Sequence, residues 1–212
     1  MDFIHPLANE YAAQYSNATP SYLKEVYDNT LATHPHAYMQ SSWTQGGFLS
    51  LISKLLQPKY ILELGTFSGF SAMCLAEGLV NDGQLHTLEL REPDGINAQN
   101  NINQSPHKDK IKIHVGDAIE TLQHLTAPWD IVFIDADKVN YGKYYQMIFP
   151  FVKKNGLIIA DNVLFHGEVF SETLKGKNAK AIHTFNEMIL SDQLADTVLL
   201  TVRDGLSLIR KK

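Results

Sequence analysis

Short apolar runs recur along the chain at positions 60–64, 84–88, 111–115, 131–134 and 156–160. Each has the length of a strand, and taken as a set they show little polar alternation, the pattern of strands buried on both faces. Between them lie stretches with helical spacing, at 69–80, 93–103, 118–125 and 141–152, the second opening on Pro93, a residue suited to a helix's first turn. The alternation of strand and crossover helix predicts a parallel sheet with helices on both faces, the doubly wound α/β architecture. A further helix is expected at 178–190, followed by β-like runs at 196–202 and 206–209 joined through Asp204-Gly205. A turn pair of that kind predicts an antiparallel hairpin at one sheet edge, for seven strands in all. No repeat, low-complexity segment or linker interrupts the pattern, so 1–212 reads as one domain. Within it, 1–57 forms a helical cover and 58–212 a Rossmann-like core.

Composition narrows the picture. The 212 residues are 44% hydrophobic and 19% charged, enough for one ample core. A net charge of -5 argues against a protein built around phosphate neutralisation, so nucleic acid is a disfavoured partner. Cys74 is the single cysteine, which excludes an intramolecular disulfide. The opening MDFIHPLANE has neither the basic nor the apolar region of a signal peptide, and a cytoplasmic location is expected. No apolar run approaches the ~20 residues of a membrane span, so no membrane association is expected.

The first chemical signal is the passage Leu64-Gly65-Thr66-Phe67-Ser68-Gly69, where a strand gives way to a helix through two glycines. Backbone there can approach a ligand closely, although an ordinary tight turn also needs small residues. The spacing is G-x-x-x-G, not the G-x-G-x-x-G that wraps a pyrophosphate, which disfavours a nicotinamide dinucleotide and hence a dehydrogenase. Glu89 ends the second strand 24 positions past Gly65, where such folds carry the carboxylate that accepts ribose hydroxyls. Asp117, after the third strand, either accepts from an adenine amino group or caps the following helix.

The stronger signal lies at the next two strand ends. The fourth strand runs into Asp135-Ala136-Asp137-Lys138, and the fifth into Asp161-Asn162. Ligands of open α/β sheets bind outside the carboxyl ends of the strands, so these groups are expected to serve one crevice with the glycine turn. Two carboxylates brought together repel unless a cation or protons intervene. Asp135, Asp161 and the Asn162 amide oxygen are hard ligands, and with no cysteine or histidine among them Mg²⁺, Mn²⁺ or Ca²⁺ suits them better than zinc. The bland alternative is a turn and a helix cap.

Phe133-Ile134-Asp135-Ala136-Asp137-Lys138-Val139-Asn140-Tyr141, with Asp161-Asn162-Val163-Leu164-Phe165-His166-Gly167, resembles the cation-dependent O-methyltransferases, which include the caffeoyl-coenzyme A enzymes and, more distantly, the catechol O-methyltransferases. The resemblance runs from about Met39 to Arg210. It implies S-adenosylmethionine as cofactor, contacted by Ser41, Glu63, Gly65, Ser71, Glu89, Asp117, Ala118 and Asp135. It implies a cation on Asp135, Asp161 and Asn162, with Lys138 as base, and a homodimer. Where many relatives carry Ser-Pro, this chain reads Ser42-Trp43-Thr44-Gln45-Gly46-Gly47, which alters one wall of the pocket.

On this reading a catechol-like phenol such as caffeate places two oxygens on the cation, in line with the sulfonium methyl. Lys138 would take the proton if the cation and partial desolvation lower its pKa, or would simply pair with Asp137 or lie in solvent. Asp137 would orient Lys138, help position the cofactor or open a helix. Trp43, Tyr141 and Phe165 would wall an aromatic substrate or pack the core. His166 is placed to contact substrate, and 165–177 reads as a mobile flap. The remaining histidines lack ligand spacing, and Cys74 reads as a small core residue. The nearest alternative is methylation of a 5-hydroxyuridine in tRNA, which the acidic balance disfavours. A non-catalytic adenosine-ligand module would need a defective metal or base position, and none is defective.

Overall fold

The computed structural model describes residues 4–212. Its seven strands form one sheet in the order β3-β2-β1-β4-β5-β7-β6: β1 Tyr60–Leu64, β2 Gln84–Glu89, β3 Ile111–Val115, β4 Trp129–Ile134, β5 Val152–Asp161, β6 Ala195–Leu200 and β7 Leu206–Lys211. The helices are α1 Pro6–Gln14, α2 Lys24–Thr33, α3 Trp43–Leu56, α4 Phe70–Ala76, α5 Glu92–Asn103, α6 Ala118–Leu122, α7 Tyr141–Ile148 and α8 Lys177–Ser191. The chain divides into two compact units, Leu7–His124 and a second built mainly of Leu125–Lys212.

In the first unit, β1 pairs parallel with β2 and β2 with β3. Ile61, Leu62 and Leu64 are fully buried, and so is Glu63 between them, as a strand covered on both faces requires. Ser42 opens α3 by accepting the Gln45 N–H at 3.2 Å. Ser53 on α3 donates its hydroxyl to the Leu75 carbonyl at 2.5 Å. The expected helix over 69–80 stops at Ala76, and Gly78 follows. An added Cβ at Gly78 would lie 2.1 Å from the Ser53 carbonyl carbon, so only glycine permits this approach to α3.

In the second unit, β4 pairs parallel with β5, and the expected edge hairpin is present: β7 runs antiparallel to both β5 and β6. β5 begins earlier than its apolar run, at Val152, opposite Trp129. The register then shifts, with Ile131 opposite Leu157, and Asn155 takes a left-handed φ of 64° beside Gly156. The helix expected over 141–152 ends at Ile148. Pro150 lacks the N–H that would continue it, and a 3₁₀ turn, Phe149–Phe151, leads into β5. The stretch expected as a flap opens on a kinked turn with non-helical His166 and Gly167, before α8 begins at Lys177.

Candidate functional site

Within the first unit the glycine turn carries three left-handed residues: Gly65 (φ 100°), Phe67 (φ 49°) and Gly69 (φ 79°). This conformation aims the Phe67 N–H at Glu89 Oε2, 2.8 Å away, while the Arg91 N–H donates to Glu89 Oε1 at 2.9 Å. Glu89 is 5% exposed, and the two main-chain donors hold its carboxylate against the turn. Each oxygen keeps a further acceptor site, which is what a pair of ribose hydroxyls requires. Below it, the Thr87 hydroxyl donates to buried Glu63 at 2.5 Å and pairs with the Thr66 hydroxyl at 2.6 Å, so Glu63 braces the turn from inside. Ser68 donates to Gln40 Oε1 at 2.8 Å, fastening the segment that carries buried Ser41. Ser71 is buried in the first turn of α4.

Asp117 resolves toward its capping role: Oδ1 accepts from the N–H groups of Ile119 at 2.7 Å and Glu120 at 3.1 Å, opening α6 at Ala118. The carboxylate remains exposed, and an added Cβ at Gly116 would meet open space, leaving room for a ligand against this turn. Sequence reasoning missed a cluster beside Phe67. His34 meets Asp94 at 3.1 Å and lies edge-on to the Phe67 ring at 4.5 Å, and Arg91 pairs with Asp94 at 2.6 Å. Only the Arg91-to-Asp94 spacing hinted at it. Trp43 packs on Tyr27 and Phe70 in an aromatic cluster of this unit.

Within the second unit, β4 delivers Asp135, and a 3₁₀ turn over Lys138–Asn140 folds the lysine back onto it. Lys138 Nζ donates to Asp135 Oδ1 at 2.9 Å and to the Tyr141 hydroxyl at 2.7 Å. Burial pulls the Lys138 pKa down, but Tyr141 and the carboxylates of Asp135 and Asp161 outweigh it and hold the ammonium above the usual lysine range. Lys138 thus takes Asp135 and Tyr141 as partners, not Asp137, the bland alternative. The Asp137 carboxylate accepts from the Tyr144 hydroxyl and, at 2.7 Å, from Asn140 Nδ2, so it ties the turn to α7. At the end of β5, Asp161 is 1% exposed and accepts the Asn162 N–H at 2.7 Å, and Asn162 adopts a left-handed φ of 59°. Both carboxylates act on the same lysine, and Asn162 follows Asp161 directly, so the oxygens of the three are of the kind that suits a hard divalent cation.

The segment after Asn162 is clasped by the β6–β7 turn. Leu164 N–H donates to the Asp204 carbonyl at 2.9 Å, and His166 N–H to Asp204 Oδ1 at 2.6 Å. Phe165, His166 and Gly167 all have positive φ, a sharp reversal that leaves the His166 side chain 64% exposed.

A family model described as O-methyltransferase matches residues 13–212. The chain belongs to the O-methyltransferase family. It is 35% identical over 176 residues to a catechol O-methyltransferase of Niastella koreensis, covering 81% of this chain and 80% of that protein. To caffeoyl-CoA O-methyltransferase 1 of Eucalyptus globulus it is 30% identical over 203 residues, covering 91% and 82%. An O-methyltransferase from Bacillus cereus, solved in complex with SAH, superposes with a TM-score of 0.89 at 31% identity, covering 97% of both chains. The O-methyltransferase fold therefore extends over nearly all of this chain, including the turn at Gly65 and the carboxylates at Asp135 and Asp161.

Proposed function

We propose that this protein moves the methyl group of S-adenosylmethionine to one hydroxyl of a catechol-like phenol, using a divalent cation. The observation that carries the reading is the set Asp135, Asp161 and Asn162 with Lys138 folded onto Asp135, in an O-methyltransferase whose relatives include catechol and caffeoyl-CoA enzymes. Glu89 would accept the ribose hydroxyls, and Ser41, Glu63, Gly65, Ser71, Asp117, Ala118 and Asp135 would form the remaining cofactor contacts. SAH in the Bacillus cereus structure supports that assignment.

Asp135, Asp161 and Asn162 would hold the cation, with Mg²⁺, Mn²⁺ or Ca²⁺ all suited to their oxygens. Bound there, it supplies Lewis-acid charge that lowers the pKa of a neighbouring phenolic hydroxyl. In its neutral form Lys138 would receive the hydroxyl's proton at Nζ. The carboxylate that keeps Lys138 charged is itself a proposed cation ligand, so ligation at Asp135 and the protonation of Lys138 are linked. The phenolic oxygen forms the new C–O bond as the methyl–sulfur bond breaks, leaving S-adenosylhomocysteine neutral at sulfur. We propose a homodimer as the working form and the cytoplasm as its place. No helix among the described residues is long and apolar enough to cross a membrane.

The deciding experiment is methyl transfer from S-adenosylmethionine to caffeate with Mg²⁺, with chelator, and with Asp161→Ala. Loss of a cation ligand is expected to lower turnover by roughly 100-fold or more, and chelator should abolish it. Turnover undiminished by chelator would sink the cation's part. Cofactor binding without turnover of any catechol, joined to salt-sensitive binding of tRNA, would favour the 5-hydroxyuridine reading instead.

A further inference from the structure

Tyr141 has no solvent exposure, and its ring stands edge-on to Phe185 at 5.5 Å with an interplanar angle of 87°. A buried phenol needs partners for its hydroxyl, and this one has them on both sides. It accepts from Lys138 Nζ at 2.7 Å. Its single proton faces two main-chain carbonyls, Asp161 at 3.0 Å and Ile134 at 3.2 Å. Those carbonyls belong to the last residues of β5 and β4, the strand ends that deliver Asp161 and Asp135. With the proton directed at the carbonyls, only the oxygen's lone pair is left to face the ammonium.

We infer that Tyr141 is a positioning residue for methyl transfer, its hydroxyl fixing the Lys138 ammonium beside Asp135 by anchoring it to the carboxyl ends of β4 and β5. This inference rests on the O-methyl transfer reading. A lysine carries four rotatable bonds and an ammonium with three donors. Asp135 alone would leave Nζ free to swing about one contact. The second contact, from a ring clamped in the core, defines where Nζ lies and leaves its third position, the lone pair of the neutral amine, to face the reacting hydroxyl. Misplacement by about 1 Å of a group that must meet a reacting atom is enough to slow a reaction about 100-fold. Tyr141 touches neither substrate nor cofactor in this account, and its effect passes entirely through Lys138.

Tyr141→Phe keeps the ring and its packing on Phe185 and removes only the hydroxyl. Turnover of a catechol is expected to fall roughly 10- to 100-fold, with KM for the catechol and the dissociation constant of S-adenosylhomocysteine changing less than about threefold, the pattern of a lost transition-state interaction. An activity-free measurement accompanies it: the ¹H–¹⁵N correlation of lysine side-chain ammonium groups, assigned with Lys138→Met. Wild type should show a slowly exchanging Lys138 signal that Tyr141→Phe loses. A variant with wild-type turnover and an unchanged Lys138 signal would overturn the inference, and so would a lower melting temperature with neither readout altered. Should the wild type methylate no catechol, the functional reading fails on its own, and the ammonium signal still decides whether Tyr141 holds Lys138.

Discussion

Glu89 holds two main-chain donors and still has acceptor sites on each oxygen, so it links the shape of the turn to the binding of a ligand there. Glu89→Gln keeps one carbonyl oxygen for the Phe67 or Arg91 N–H and replaces the other acceptor with a donor. Hydrogen bonds to a charged group are worth about 1.5–3 kcal/mol, so affinity for S-adenosylhomocysteine is expected to drop roughly 10- to 100-fold by titration calorimetry. A change under threefold would remove Glu89 from the cofactor site. Glu89, Asp135 and Asp161 stand out in the sequence as candidates because each directly follows the last apolar residue of a strand, and strand ends are where this architecture binds ligands. The partnership of Tyr141 with Lys138 is not legible. It depends on a 3₁₀ turn that brings the two side chains together, and the sequence pattern there fits a helix start equally well. Asp117 was open between two roles, and its geometry shows the cap.

The elements hold a feature that no spacing along the chain reveals. His86 on β2 and His114 on β3 stack with rings 5.2 Å apart, their Nδ1 and Nε2 at 2.9 Å. They meet only because the parallel register sets His86 opposite Lys112, one step along the same face from His114. Burial, then His114 and Lys112, depresses the His86 pKa from 6.5 to about 4, and burial with Lys112 lowers His114 as well. Between those values the unfolded chain binds more protons than the folded one, so stability is full above about pH 6.5 and drains away as pH falls toward 4. His86→Gln/His114→Gln should flatten the denaturation midpoint across that window relative to wild type. Parallel curves would show that the pair contributes nothing to the acid limb. At this scale the strands are well read from sequence and their ends less so. β5 gains Val152 to Asn155 through a register shift whose polar residues, Lys153 and Lys154, hide it, while Gly78 ends α4 early because α3 lies against it.

Across the molecule, the apolar residues that remain outside matter as much as those within. On α3, Leu51 and Leu55 are 50% and 71% exposed and lie one turn apart on the same side. A homodimer that covers this stripe would explain an apolar face on an otherwise well-packed helix. Leu55→Asp is expected to convert the dimer to monomer in sedimentation velocity without lowering the melting temperature. A wild-type monomer would remove the dimer, and a Leu55→Asp dimer would move its interface elsewhere. The seven strands and the edge hairpin follow from the sequence because strand–helix alternation admits few topologies, while their order is read from the pairing. The division before β4 does not, since no change of composition marks it. Finally, the lone cysteine has a use unconnected with chemistry at the strand ends. Cys74 is wholly enclosed and its thiol is pushed well above the ordinary range, foremost by burial. A thiol reagent can reach it only when residues 7–124 open. The labelling rate of the unmodified protein is thus a built-in clock for that opening, and bound S-adenosylhomocysteine should slow it in proportion to its occupancy.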